Sequence, residues 1–411
     1  MKIFTRDWFK FKYSILLNVA IGLLFVDIMI DPTNLIFHSK YVVFGLVFLI
    51  WGLNIFKTHT KLVIPPPLFI VLAFIALFMP FYALSVGIIN GVIANTSIES
   101  YAYFNSFFFF LLLLVIVTEH IELTNYINYS SFLIVGITLG FYLILIINPL
   151  FFEDIYHYFV LEKGVAVYAL RNYGGFTLLM MFYKTSPILV FPLSYFLYRL
   201  IISPEKRRVF PDVIFLFLII ITLFISGTRA NVVSLMVIVL FYFGFYIYKK
   251  SKVRFVLTVI LSLVILIFAL PPFLDLLFNN KEASNVVKAG HFSSYLDFFE
   301  GHKVMAIFGQ GIGGSFYSSG SGMVRNVSEL TYLEIIRIWG FPVSVMFFGV
   351  LILPLILEIR SGNIGPVFIA YLAYLFIAGT NPLLLSSTGM IVLVFVFSEM
   401  YFKYYKKLSW S

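Results

Sequence analysis

Residues 226–254 read SGTRANVVSLMVIVLFYFGFYIYKKSKVR. A lone arginine, Arg229, sits in a small polar turn. An apolar run over 231–248 follows it, and Lys249, Lys250, Lys252 and Arg254 close the stretch. A bilayer's hydrocarbon takes about 20 apolar residues to cross, and lysine and arginine crowd the cytoplasmic ends of such spans. The stretch therefore reads as a membrane helix with its basic end inside and Arg229 outside.

The same unit recurs along the chain. Apolar segments fall near 13–30, 41–56, 68–89, 101–117, 127–147, 186–202, 211–225, 231–248, 253–270, 330–357, 365–379 and 388–402. The expected fold is an all-α integral membrane protein, a single polytopic domain over 1–411 with about 12 transmembrane helices. With the N-terminus inside, the cytoplasmic joints hold 18 of the 28 Lys and Arg and the opposite joints nine, leaving Arg337 within a span. Both termini are then expected to be cytoplasmic. Lys2, Arg6, Lys10 and Lys12 precede the first apolar run, and no small-residue cleavage site follows it, so that run is read as a retained helix.

Composition agrees with this class. The chain is 61% hydrophobic and 11% charged, with a mean hydropathy of +1.02. A soluble domain of this size needs more polar surface than that. The net charge of +9 is explained by cytoplasmic anchors, and no basic, aromatic-interleaved module for nucleic acid is present. Without cysteine there is no disulfide or thiolate chemistry, and the six scattered histidines show no metal-ligand spacing. No internal repeat is evident, as inverted-repeat transporters would show.

Two external segments exceed simple turns, 148–185 and 271–329, and loops of that size are usually functional. Short amphipathic helices are expected in both. Phe151, Phe152, Tyr156, Tyr158 and Phe159 suit an interfacial helix in the first, and residues 291–299 alternate polar and aromatic residues in helical fashion in the second.

Four arginines stand apart from the cytoplasmic clusters: Arg171, Arg229, Arg325 and Arg337. Arg229 in the SGTRAN turn reads either as a snorkelling interfacial residue or as a ligand group. Arg171 lies in ALRNYGGF, where glycine amides and a guanidinium could approach one oxyanion together. Arg325 ends a Ser/Gly-rich stretch. If a helix starts near Asn326, then Asn326, Leu333, Arg337 and Gly340 share a stripe. An ionisable residue inside a membrane helix faces a cavity or a partner, and Arg337 either does so or pairs internally with Glu334. The acid–base candidates are His291, Asp297, Glu300, His302 and Glu329, of which Glu329 stands at the head of the helix carrying Arg337. Tyr295 and Tyr332 complete the candidates around the large loop. Gly309-Gln310-Gly311-Ile312-Gly313-Gly314 follows no βαβ unit, so it is no dinucleotide site and is read as a close backbone approach. External guanidiniums that never lose charge suit a lipid-linked, multiply anionic substrate, and fixed cations stabilise a diphosphate leaving group without a metal.

These residues resemble the O-antigen and related surface-polysaccharide polymerases (Wzy), grouped with the O-antigen ligases in one glycosyltransferase superfamily. The resemblance rests on SGTRAN with Arg229, LRNYGG with Arg171, and FGQGIGGSF leading into NVSELTYLEIIRIWG, together with the order of spans and loops. It implies a metal-independent, cofactor-free transfer at the periplasmic face of the bacterial inner membrane. The growing glycan would pass from undecaprenyl diphosphate to the sugar of a lipid-linked repeat unit, with a chain-length regulator as a further partner. By the same resemblance Arg171 and Arg229 grip the diphosphate, Arg325 and Arg337 assist, and Glu329 orients or activates the acceptor hydroxyl. Superfamily ligases tend to carry a histidine shortly before the helix ending at Gly340, where this chain has Val327-Ser328-Glu329, which favours a polymerase. The alternatives are a ligase joining polymer to lipid A-core and, from another class, a flippase for lipid-linked oligosaccharides. The long external loops and the few charges within the spans speak against the flippase.

Overall fold

A computed structural model describes residues 2–58, 64–95, 98–173, 176–203, 209–254, 283–362 and 364–405. Among the described residues, seven helices are long and apolar enough to cross a membrane. They are Tyr13–Ile30 (the apolar part of α1, Lys2–Ile30), α2 (Lys40–Thr58), α3 (Pro66–Ile89), α4 (Ser100–Thr118), α5 (Thr124–Ile147), Arg229–Lys250 and Phe341–Ser361. After α5 come a short α6 (Pro149–Tyr156), a hairpin of β1 (Ala166–Tyr173) and β2 (Phe176–Tyr183), α7 (Ser186–Ile201) and α8 (Val209–Ile225). The long helix Arg229–Lys250 is α9. The last third holds α10 (Ala283–Gly301), α11 (Lys303–Phe308), a small hairpin of β3 (Phe316–Ser318) and β4 (Met323–Arg325), α12 (Thr331–Trp339), α13 (Phe341–Ser361), α14 (Pro366–Ala378) and α15 (Ser387–Met400).

Cross-helix hydrogen bonds sort the joints into two sides. Thr185 Oγ1 donates to Met29 O (2.9 Å), Thr33 Oγ1 to Lys163 O (3.3 Å), Asn90 Nδ2 to Gly309 O (3.3 Å), and Thr331 Oγ1 to Asn381 O (2.6 Å). At the other ends, Trp51 Nε1 donates to Thr118 Oγ1 (3.0 Å), Thr124 Oγ1 to Glu399 Oε1 (3.1 Å), and Lys403 Nζ to Glu358 Oε1 (2.8 Å). Joints 31–40, 90–95, 148–173, 176–185 and 380–386 thus share one side with residues 309–331, which is the alternation the hydropathy pattern requires. We call it the loop side. The core is the buried stack of α1, α3, α4, α14 and α15, with Ile391, Leu393, Phe395 and Phe397 of α15 almost wholly enclosed.

Three sequence expectations change. The apolar segment 330–357 is not one helix. It divides at Gly340, whose φ of +76° favours glycine, and whose added Cβ would meet Ile307 O at 2.1 Å. The helix carrying Arg337 starts at Thr331 and stops before Gly340, so no continuous stripe runs from Asn326 to Gly340. The loop 148–185 is helical only in its first part. Residues 166–173 pair antiparallel with 176–183, Arg171 opposite Leu178, and β3–β4 forms a second hairpin. These hairpins are the departure from an all-α chain. β-Branched and aromatic residues such as Val167, Tyr168, Thr177 and Phe182 favour the extended form. The span expected at 253–270 lies outside the described residues from 255 onward.

Candidate functional site

The site is organised by one face of α10. Asn285, Lys288, His291, Tyr295 and Phe298 follow one another at intervals of three or four residues, which places them in a row along the helix, and His302 follows just past its end. The row runs from the SGTRAN turn to the buried ion pair of α12.

Arg229 opens it. The first residue of α9, it is half-buried and donates from Nη1 to Asn285 Oδ1 at 2.6 Å. Its turn is held from below by Asn231, which donates from Nδ2 to Ser226 Oγ (2.9 Å) and Ser186 Oγ (3.2 Å). Gly227, at φ +60°, is capped so closely by Met180 of β2 that a Cβ there would meet its Cγ at 2.5 Å. Met180 pairs with Ala169. Arg171 is two residues further along β1, about 7 Å by strand rise. The first hairpin thus meets the Arg229 turn through Met180, with the backbone of Arg171 two residues from that contact along β1, while the Arg171 side chain lies outside the described residues.

One turn on, Lys288 Nζ faces Glu329 Oε2 at 3.7 Å, with side chains 33% and 56% exposed. Such an open pair is worth about 0–1 kcal/mol, so a ligand displaces it at small cost. Next comes His291, buried, with Nδ1 2.5 Å from Ser318 Oγ of β3. Whichever of the two carries that hydrogen, Nε2 takes the complementary role. Burial holds the imidazole below its ordinary pKa. Arg325 and Lys288 push the same way, against the opposing pull of Glu329 and Glu334. Arg325 itself, on β4, is exposed and donates from Nε to Ser321 Oγ at 3.3 Å.

The row ends in a closed network. Tyr295 donates to Glu334 Oε2 at 2.5 Å, and burial with that carboxylate holds its hydroxyl protonated, well above the usual range. Arg337 is 1% exposed and its guanidinium is fully used. Nε and Nη2 fork onto Glu334 at 2.9 and 2.6 Å. Nη1 donates to Gln310 Oε1 and to Gly314 O (2.9 Å), and Nη2 also to Asn326 O (2.8 Å). A guanidinium has five N–H donors, and each has a protein acceptor. The internal Glu334–Arg337 pair is therefore the arrangement found, and the substrate-contacting role expected of Arg337 does not fit it. The Phe316 ring lies 5.2 Å from the guanidinium carbon and packs on the Tyr295 ring, tilted by 31° with centroids 4.6 Å apart. Tyr332 faces away from the row, donating to Leu375 O at 2.6 Å and fixing α12 to α14.

The glycine-rich segment supplies the floor. Gln310 N and Gly311 N donate to Arg337 O (2.7 Å) and Ile338 O (3.0 Å), and Ile312 N to Ala83 O (3.0 Å). Gly311 rests directly on Gly87 of α3, where any side chain would strike backbone at 2.1 Å.

Sequence reasoning missed Asn285, Lys288, Ser318 and Gln310. The first two were legible as earlier members of the helical series that includes His291 and Tyr295. Ser318 and Gln310 are brought in only by tertiary folding. Among the described residues no group of three His, Asp or Glu is placed to hold a metal ion. No protein-family model, curated protein or solved structure matches the chain.

Proposed function

We propose that this protein is a membrane-embedded glycosyltransferase that polymerises a surface polysaccharide of the O-antigen kind. It moves the growing glycan from undecaprenyl diphosphate to a lipid-linked repeat unit, at the periplasmic face of the inner membrane. The observation that carries this reading is the α10 row. A half-buried guanidinium, an ammonium, a neutral imidazole and an open carboxylate lie along a helix face on the loop side of the bundle. Asn285 to Tyr295 spans about 15 Å, long enough for a diphosphate and the sugar it leaves.

In this mechanism Arg229 and Lys288, with Arg171 and Arg325 nearby, hold the diphosphate and stabilise the charge it gains as the glycosidic carbon departs. Arginine suits this because its fork matches phosphate oxygens and stays charged. Of the two carboxylates near the row, Glu334 is consumed by Arg337 and Tyr295. Glu329 is left to accept the proton of the acceptor hydroxyl as that oxygen attacks. Arg337 acts as a positioning residue, holding Gln310, Gly314 and Asn326 under the row.

The test is a glycan gel from the native host lacking this gene, complemented with wild type or Arg229→Ala. A single repeat unit on core in the deletion, with the ladder restored by wild type alone, supports the reading. Bare core with polymer accumulating on the lipid carrier points to a ligase instead, and repeat units trapped inside point to a flippase.

A further inference from the structure

α11 is six residues long and turns an apolar face outward: Val304, Ile307 and Phe308 are 71%, 50% and 59% exposed. Met305, between them, turns inward onto the Tyr295–Phe298–Phe316 cluster. What covers the outward face follows from its depth, and two spans measure that depth.

The first is α3. Tyr82 donates from its hydroxyl to Phe308 O at 2.9 Å. Tyr82 lies seven residues before the loop-side end of α3 at Ile89, which is about 10 Å along a helix axis. The 24 residues of α3 span about 36 Å against a hydrocarbon thickness of about 30 Å. Phe308 therefore lies between the level of Tyr82, roughly 7 Å inside the hydrocarbon boundary when α3 is centred in it, and the end of α3, where Asn90 Nδ2 donates to Gly309 O (3.3 Å). An adjacent anchor and a deeper one agree, since Ile312 N donates to Ala83 O (3.0 Å) and Trp339 Nε1 to Met79 O (2.7 Å).

The second is α13. Its 21 residues measure about 31 Å and so match the hydrocarbon, with Phe341 at the loop-side boundary. Ile307 O packs directly on Gly340, the residue before it. The two measures place α11 between the boundary and several ångströms below it.

We propose that α11 is a membrane-embedded interfacial helix whose Val304, Ile307 and Phe308 side chains sit among the lipid chains of the loop-side leaflet. Residues 303–340 then form a re-entrant unit that dips beside α3 and returns through α13. The α10 row stands directly above it, at head-group level, where a lipid-carried substrate presents its polar end. The proposal rests on depth alone and holds whatever reaction the row performs.

The chain has no cysteine, so single-cysteine variants of the full protein can be spin-labelled without altering any native residue elsewhere. Val304→Cys, Ile307→Cys and Phe308→Cys are placed in phosphatidylcholine/phosphatidylglycerol nanodiscs. Collision rates with oxygen and with a water-soluble nickel complex are then measured. Leu372→Cys, exposed in the middle of α14, sets the lipid reference, and Lys252→Cys, exposed after α9, sets the water reference. Oxygen-to-nickel ratios on the lipid side of the midpoint at all three α11 positions bear the proposal out. Ratios on the water side at those positions overturn it, and because each position is exposed, labelling leaves the fold intact.

Discussion

Two ion pairs lie on either side of the same helix face, and they are built for opposite ends. Glu334–Arg337 is 0% and 1% exposed, forked at 2.6 and 2.9 Å, with every guanidinium donor placed on protein. Lys288–Glu329 is 33% and 56% exposed and held at 3.7 Å. Burial removes the competition of water, so the first pair is strong where it stands and ruinous when half removed. Exposure keeps the second weak and exchangeable. A closed pair builds the floor of the site, and an open pair leaves its charges available to a ligand.

The sharpest way to break this comparison is to remove half of the closed pair. Arg337→Met leaves Glu334 buried without a counter-charge and strands the acceptors on Gln310, Gly314 and Asn326. The expected cost is roughly 3–5 kcal/mol, read as loss of monodisperse protein in size-exclusion chromatography. Arg337→Met with Glu334→Leu removes both charges and is expected to recover part of that loss. A double variant no better than the single one would mean that the pair is not the element that matters.

The open side behaves differently. Arg229→Ala is expected to lower turnover by about 10²-fold, the scale of one lost stabilising donor, with near-normal yield of folded protein. Glu329→Gln keeps size and hydrogen bonding but removes the charge, so it is expected to lower turnover while shifting the melting temperature little. Thermal melts beside a glycan-transfer assay separate the cases. An Arg229 or Glu329 variant that unfolds like the Arg337 variant erases the distinction between the two pairs.

How much of this was legible in the chain depends on the range of the interaction. Spans are a local property of hydropathy, and the apolar run between SGTRAN and KKSKVR already carries one. The Glu334–Arg337 spacing is local too, and it offered an internal pair as one of two readings, with the cavity-facing role as the other. The break at Gly340 was hidden because its cause is the carbonyl of Ile307, thirty-three residues away. Likewise Gln310, Gly314 and Asn326 reach Arg337 only through the re-entrant fold. The hairpin at 166–183 was written in β-branched and aromatic residues around Gly174-Gly175. An expectation of surface helices outweighed that signal.

The smallest expected effect concerns His291, which sits between the two pairs. Its folded pKa is lowered, chiefly by burial. As pH falls through about 6.5 the unfolded chain takes up the proton first. The folded form resists, so the stability present above that pH erodes below it until the folded pKa is reached. The slope from one proton is at most about 1.4 kcal/mol per pH unit. Melting curves between pH 7.5 and 5 are expected to show this decline in wild type and a flatter one in His291→Asn, which keeps a polar group against Ser318. Equal slopes in the two proteins would place the acid sensitivity elsewhere.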